Sequence, residues 1–364
     1  MLSKITVPTL LLDKKKATDN IYFMLGKARK HGLIFRPHFK THQSLIIGRW
    51  FRDAGVDKIT VSSFKMAQYF ASDGWKDITV AFPVNIREIE LINELAKEIN
   101  LNIVIESKEA LEFLSNNLKY NVGVFIKIDA GYNRTGIECA DIEYINALIR
   151  LIRSCRNMKF NGFLTYTGQS YRLKTPSQIP LSLKKTLNKL SLLKKAFIND
   201  YPDIIISIGD TPSCTLSDDF TGADEIRPGN FIFYDVMMIS LSVCTWDKIS
   251  VCLACPVVAK HTARKEIVFY GGSVHFSKEN LIISGKEFYG LVTRITENGW
   301  SEPVKGVYAK ALYQEHGILK CDNTECFNSI NVGDLIGVLP VHSCLTADCM
   351  KSYLTLDGEV IGHL

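Results

Sequence analysis

The stretch Leu33-Ile34-Phe35-Arg36-Pro37-His38-Phe39-Lys40-Thr41-His42 sets an apolar run directly against a basic, histidine-rich turn. A strand ending in such a turn leaves its last side chains at the rim of a sheet, within reach of a ligand. Lys40 then has two readings. With Arg36, His38 and His42 close in sequence, cationic neighbours lower its pKa, and a partly unprotonated amine can condense with an aldehyde. Alternatively it is a solvated lysine at a strand end. The rest of the chain has to decide between them.

Upstream, an amphipathic helix is expected from about 14 to 31, stopped by Gly32 and preceded by a strand candidate at 7–13. Downstream, apolar runs recur at 33–39, 58–62, 78–82, 101–105, 122–128, 160–165, 204–208 and 226–234. Stretches with helical periodicity lie between them, as at 86–99, 108–117, 141–155 and 182–199. Continuously apolar strands alternating with helices indicate a buried parallel sheet, and eight such units predict a closed barrel. After residue 236 the pattern changes to strand-like alternation, at 237–245, 250–258, 266–270, 281–283, 306–312, 318–320, 335–338 and 352–355. The reading is an α/β chain: a (β/α)8 TIM-type barrel over 8–236, then a C-terminal β domain over 237–364 that 1–7 joins.

Composition is that of an ordinary soluble protein, with 364 residues, 46% apolar and 22% charged. The net charge of +5 comes from 43 basic and 38 acidic residues without a long run of one sign, so no nucleic-acid footprint stands out. No apolar stretch reaches the ~20 residues that cross a bilayer, and Met1-Leu2-Ser3-Lys4 does not open a signal peptide. A cytoplasmic protein is expected, its ten cysteines being thiols or metal ligands rather than a disulfide framework.

In such a barrel the site forms at the carboxyl ends of the strands. That rule collects Lys40, the loop Asp129-Ala130-Gly131-Tyr132-Asn133-Arg134, Tyr166 with Gly168, Gln169 and Tyr171, and the turn Gly209-Asp210-Thr211-Pro212-Ser213. The glycine turn suits a phosphate, as does Arg227-Pro228-Gly229-Asn230 near the eighth strand. In the β domain, His342-Ser343-Cys344 follows Val338-Leu339-Pro340. On an extended strand, residues two apart share a face, so one imidazole and one thiolate could hold Zn²⁺ and leave positions open for substrate. A closed structural site that adds Cys321, Cys326 and Cys349, or an inert core pair, are the other readings.

These segments together resemble the D-threonine aldolase and D-serine dehydratase family, pyridoxal-phosphate enzymes of the alanine racemase fold type. The likeness runs through Arg36 to His42, Asp129 to Gly136, Tyr166-Thr167-Gly168, Gly209 to Ser213, Glu225 to Asn230, Glu315-His316-Gly317 and His342-Ser343-Cys344. It implies that Lys40 carries pyridoxal 5′-phosphate with His38 beside it, that Arg134 sits near the ring oxygen, and that Tyr166 lies at the reacting centre. It also implies that Gly209, Asp210, Thr211, Gly229 and Asn230 hold the phosphate, and that His342 and Cys344 bind a divalent metal. Zinc is the metal expected, with manganese or magnesium as alternatives. The activity implied is lysis of a D-3-hydroxy amino acid in a homodimer, either by β-elimination to a 2-oxo acid and ammonia or by retro-aldol cleavage to glycine and an aldehyde. The cysteine of the metal pair leans this toward elimination, since the family's aldolases resemble a His-x-Asp pattern instead. A racemase using Tyr313 as its second acid/base, or a carrier of the cofactor, would be the alternatives. Two departures stand out: Gln169 replaces a histidine common in the family, and Asp210 puts a carboxylate where a phosphate should bind, so its side chain is expected to point away.

Overall fold

The computed structural model describes residues 1–173, 175–283 and 285–364. The chain forms two compact units, one of residues 22–40 and 48–229, the other of 1–21, 41–47 and 230–364.

The first unit is built on parallel strands in the spatial order Ile34–Phe35, Glu225–Ile226, Ile205–Ile208, Met158–Leu164, Val122–Asp129, Asn100–Ile105, Asp77–Pro83 and Lys58–Val61. A bridge between His38 and Thr60 brings the last strand back to the first, with Phe39 N donating to Thr60 O and Thr60 N to Pro37 O, both at 2.9 Å. The eight apolar runs therefore become a nearly closed barrel. The eighth is as short as the first, two residues each: pairing stops at Ile226, Pro228 has no N–H to donate, and the chain leaves as a 3-10 turn at Asn230–Ile232. Valine, isoleucine and leucine fill the strands because both faces are covered, each full burial contributing about 1.5–3 kcal/mol. Helices lie between them with their apolar stripe inward; Ile142–Ser154 buries Ile145, Leu148, Ile149 and Ile152, and Asp141 caps it by accepting from Tyr144 N.

Val104, Phe125 and Leu164, from three neighbouring strands, pack together inside the ring. A polar layer adjoins them. A Cβ at Gly123 would lie 2.1 Å from Asn102 Oδ1 and 2.2 Å from Asn161 Nδ2, and these two amides bond to each other at 2.7 Å. Only glycine leaves room for that pair.

The second unit holds an antiparallel ring in which Val251–His261, Glu266–Tyr270, His316–Cys321, Val307–Leu312, Gly290–Thr293 and Leu335–Pro340 pair in turn, the last returning to the first. Strand Thr9–Leu12 joins it, antiparallel to Val251–His261 and parallel to Ser352–Thr355. The expected division at 8 and 236 thus moves: the strand at 9–12 and the start of the helix Lys14–Lys30 lie with the β unit, and the barrel ends at Gly229.

Two expected strands are helices. Residues 237–240 of the run 237–245 lie in the helix Val236–Ser240, because the buried Asp235 carboxylate caps it by accepting from Met238 N at 3.0 Å. His342-Ser343-Cys344 is not extended either. The strand stops at Pro340, His342 takes the N-cap position, and Ser343–Met350 is helical. Among the described residues no helix is long and apolar enough to cross a membrane.

Candidate active site

The barrel rim carries the first group of side chains. Lys40 is exposed beyond the first strand, and its N–H points to His38 Nδ1 at 3.4 Å. Two of the cations next to it in sequence are taken up elsewhere or discharged. Arg36 is buried and committed, its Nε donating to Glu225 at 2.6 Å and an Nη to Asp77. His42 is fully buried; burial, helped by His363, pulls its pKa down to about 3 and keeps it neutral.

Arg134 lies with its guanidinium 4.2 Å from the centre of the Tyr166 ring. Burial raises the Tyr166 phenol pKa, with Asp210 adding to the effect, while Arg134 and a hydrogen bond with Tyr171 oppose it. Tyr166 therefore keeps its proton and can donate one but not accept one near neutrality. The Asp210 side chain is buried. It caps the helix Thr211–Leu216, accepting from Ser213 N at 2.6 Å, and its other oxygen takes the Thr167 hydroxyl. Burial pushes its pKa up to about 7 against the pull of the Ser213 and Ser170 hydrogen bonds. Thr211 is buried in the same turn. Gly209 is a close-approach position, because a Cβ there would meet Arg227 O at 2.9 Å. Arg227 holds the barrel interior, with Nε on Ser207 Oγ at 2.7 Å and an Nη on Thr165 O at 2.6 Å.

Lys127 escaped the sequence reading. It lies in the strand Val122–Asp129 at 5% exposure, and burial, with Arg227 and Arg134 adding repulsion, lowers its pKa to about 7. The signal was a charged residue inside an apolar run.

The second group lies within the β unit around Asp235, also unread in the sequence. One Asp235 oxygen caps the helix; the other accepts from Asn230 Nδ2 at 2.6 Å and Ser343 N at 3.0 Å, and sits 3.4 Å from His342 Nδ1. Burial opposes a charge on His342, but the Cys344 sulfur and Asp235 outweigh it and raise the imidazole pKa. Cys344 Sγ is 3.1 Å from Thr41 Oγ1 and 3.8 Å from Asn230 Nδ2. The Asn230 side chain joins this cluster through Nδ2, and its buried Oδ1 has no hydrogen-bond partner among the described residues.

The donor chemistry fits both groups implied by the sequence. A rim amine with an arginine and glycine turns suits an aldehyde carrying a phosphate. An imidazole braced at Nδ1 beside a thiol, with an orphaned amide oxygen near, suits a soft divalent ion. Among the described residues no set of three or more His, Cys, Asp and Glu is placed to hold a metal, so the closed site using Cys321, Cys326 and Cys349 does not assemble.

A barrel with a lysine at the end of its first strand, accompanied by an antiparallel β unit, is the architecture of alanine racemase-type proteins. The chain belongs to that family: the model of the alanine racemase N-terminal domain matches residues 13–236, and that of a serine dehydratase domain matches 250–356. The chain is 26% identical over 387 residues to D-serine dehydratase of Dictyostelium discoideum, covering 98% of this chain and 95% of that protein. It is 25% identical over 370 residues to D-threo-3-hydroxyaspartate dehydratase of Delftia sp. (strain HT23), covering 99% and 97%. The solved structure of the Delftia enzyme superposes with a TM-score of 0.90 at 23% identity over 100% of this chain and 98% of that one. That enzyme has also been solved as a histidine-to-alanine variant and as a cysteine-to-alanine variant in the metal-free form.

Proposed function

We propose that the protein is a pyridoxal 5′-phosphate- and divalent-metal-dependent lyase that acts on D-3-hydroxy amino acids by β-elimination. The observation that carries the reading is the Asp235 cluster, in which a buried carboxylate, an asparagine and a helix start brace only two metal-binding side chains, His342 and Cys344. Two protein ligands leave an ion open to substrate. When bound, pyridoxal phosphate is an electron sink for charge at Cα and a divalent ion is a Lewis acid toward a β-hydroxyl.

The chain's own residues do the rest. Lys40 offers the amine that holds the cofactor. Arg134, stacked on Tyr166, presents its edge donors at the rim, and Tyr166, kept protonated, can give a proton there. The turns at Gly209 and Gly229 hold the phosphate through backbone. Asp210, with a pKa near 7 and already capping its helix, contributes N–H rather than carboxylate. His342 and Cys344 hold the ion, with zinc favoured because the thiolate is soft. Elimination is preferred over aldol cleavage because the curated relatives whose sequences match end to end are dehydratases, whereas the sequence of the D-threonine aldolase of Arthrobacter sp. matches over 47% of this chain. A homodimer follows from the family resemblance.

The test is a product assay on D-serine and D-threonine, with and without chelator. Ammonia and a 2-oxo acid, lost on chelation, are expected. Glycine plus an aldehyde would move the assignment to aldol cleavage, and inversion at Cα alone would make the protein a racemase.

The phosphate assignment has its own check. Gly229→Val should weaken cofactor binding about tenfold, ~1.4 kcal/mol, and leave the ratio of activities on D-serine and D-threonine unchanged. Gly209→Val should do the same, with lost thermal stability from the Arg227 contact added. Fluorescence titration of the cofactor reads both, and unaltered affinity in the pair would remove the turns from the phosphate site.

A further inference from the structure

Thr41 follows Lys40 in the chain, yet it lies with the β unit, as residues 41–47 all do. Its Oγ1 is 3.1 Å from Cys344 Sγ, close enough for a hydrogen bond in which either atom can be the donor. Both residues are buried, Thr41 completely and Cys344 to 8% exposure. The hydroxyl, rather than bulk water, therefore sets the surroundings of the sulfur on that side.

The backbone that carries Thr41 is anchored by the C-terminal strands. Tyr353 Oη donates to His42 O at 2.7 Å and Leu364 N to Gln43 O at 2.8 Å, while Ser44 N donates to His42 Nδ1 at 3.1 Å. None of these bonds uses the Thr41 side chain, which leaves its hydroxyl to the sulfur.

A hydroxyl suits this place because its role can reverse. A thiol can donate to it, whereas a thiolate, the form that ligates a metal, has no proton and can only accept from it. The sulfur thus keeps a partner in both forms. Asn230 Nδ2 lies farther off, at 3.8 Å, and is already committed to Asp235 at 2.6 Å and Ser343 Oγ at 3.1 Å. The two candidate metal ligands then each have a brace: Asp235 stands beside the imidazole of His342, and Thr41 beside the sulfur of Cys344.

We infer that Thr41 is a positioning residue of the metal site, whose hydroxyl donates to the Cys344 thiolate, holds the sulfur in place and draws charge from it. The inference rests on the metal-dependent lyase reading and extends it from the ligands to the residue that governs one of them. A thiolate gives electron density freely to a soft ion, which weakens the ion's pull on a hydroxyl oxygen. A hydrogen bond to the sulfur takes part of that density back and keeps the ion a stronger Lewis acid.

The experiment titrates cobalt(II) chloride and zinc chloride into metal-free native protein, Thr41→Val, Thr41→Ala and Thr41→Ser at one pH. Zinc affinity is read by competition with a chromophoric chelator, and cobalt reports the sulfur through its sulfur-to-metal charge-transfer band. Thr41→Val keeps the shape and branching of the side chain and loses the hydroxyl. It should bind zinc about 10- to 100-fold more weakly, and its cobalt band should move to lower energy, because a sulfur without the hydrogen bond gives up an electron more easily. Thr41→Ala should move the band the same way, so that the result does not hang on how the valine fits. Thr41→Ser should restore the native band and most of the affinity. Native zinc affinity and an unmoved band in the valine and alanine variants would overturn the inference, as would an equal shift in the serine variant, which would assign the effect to packing. A native protein that binds zinc and shows the band would leave the metal reading standing in either case. Absence of the band from the native protein would overturn both.

Discussion

Lys40→Ala should yield a folded protein with no visible absorbance from bound cofactor and with turnover lowered by at least on the order of 10⁴-fold. Folding should survive because the rim at this point is closed by backbone, through His38 N to Pro228 O at 2.8 Å and the two bonds between Pro37, Phe39 and Thr60. None of these uses the Lys40 side chain, which is exposed. The loss should be large because the lysine is the covalent anchor and an amine at the reacting centre, two roles removed at once. The environment also names the rival. Lys127 is buried in the barrel with a pKa near 7, so its amine is able to react unprotonated at neutral pH. A purified Lys40→Ala protein that showed the visible band, lost it on borohydride treatment and still carried covalently bound, reduced cofactor after dialysis would move the anchor away from Lys40, and Lys127→Met would be the next variant to make.

The barrel was legible because its strands are buried on both faces and so read as unbroken apolar runs; all eight were placed by that pattern. Its last strand was read too long, since Phe231, Ile232 and Phe233 are as apolar as a strand but are buried in the β unit's turn. The β unit was read mostly as strands, but the ring strand Gly290–Thr293 went unread, and two stretches expected to be extended are helical. Met237-Met238-Ile239 carries no period that separates a strand from one helical turn, and Asp235 decides it by capping. His342 and Cys344 were found as a pair, but through the wrong geometry, because the step from Pro340 to the helix at Ser343 leaves no periodic trace in three residues. Charge was the least legible property. The turn around Lys40 reads as a cluster of cations, yet Arg36 is neutralised by partners 41 and 189 residues away in sequence, Asp77 and Glu225, and burial discharges His42. Asp235 reaches residues 108 positions along the chain, a distance over which a single sequence gives no signal.

Removing the metal should abolish turnover of D-3-hydroxy amino acids, by on the order of 10²- to 10³-fold or more, while thermal melting and the Lys40-bound cofactor band stay as they were. Two ligands cannot close a tetrahedral structural site, and among the described residues no three His, Cys, Asp or Glu side chains are placed to hold an ion. His342→Ala should reproduce the chelated state. The fold should tolerate it, because Asp235 keeps the N–H groups of Met238 and Ser343 and the Asn230 amide, so no buried carboxylate is left bare. The paired measurement is turnover and melting temperature, before and after chelation and after zinc is restored. A structural ion would lower the melting temperature together with activity. Turnover that survives chelation would instead remove the metal from the reaction and with it the lyase assignment. Tyr313 of the β unit, 51% exposed and stacked on His316 at 4.9 Å, would then be the residue to test as the second acid/base of a racemase.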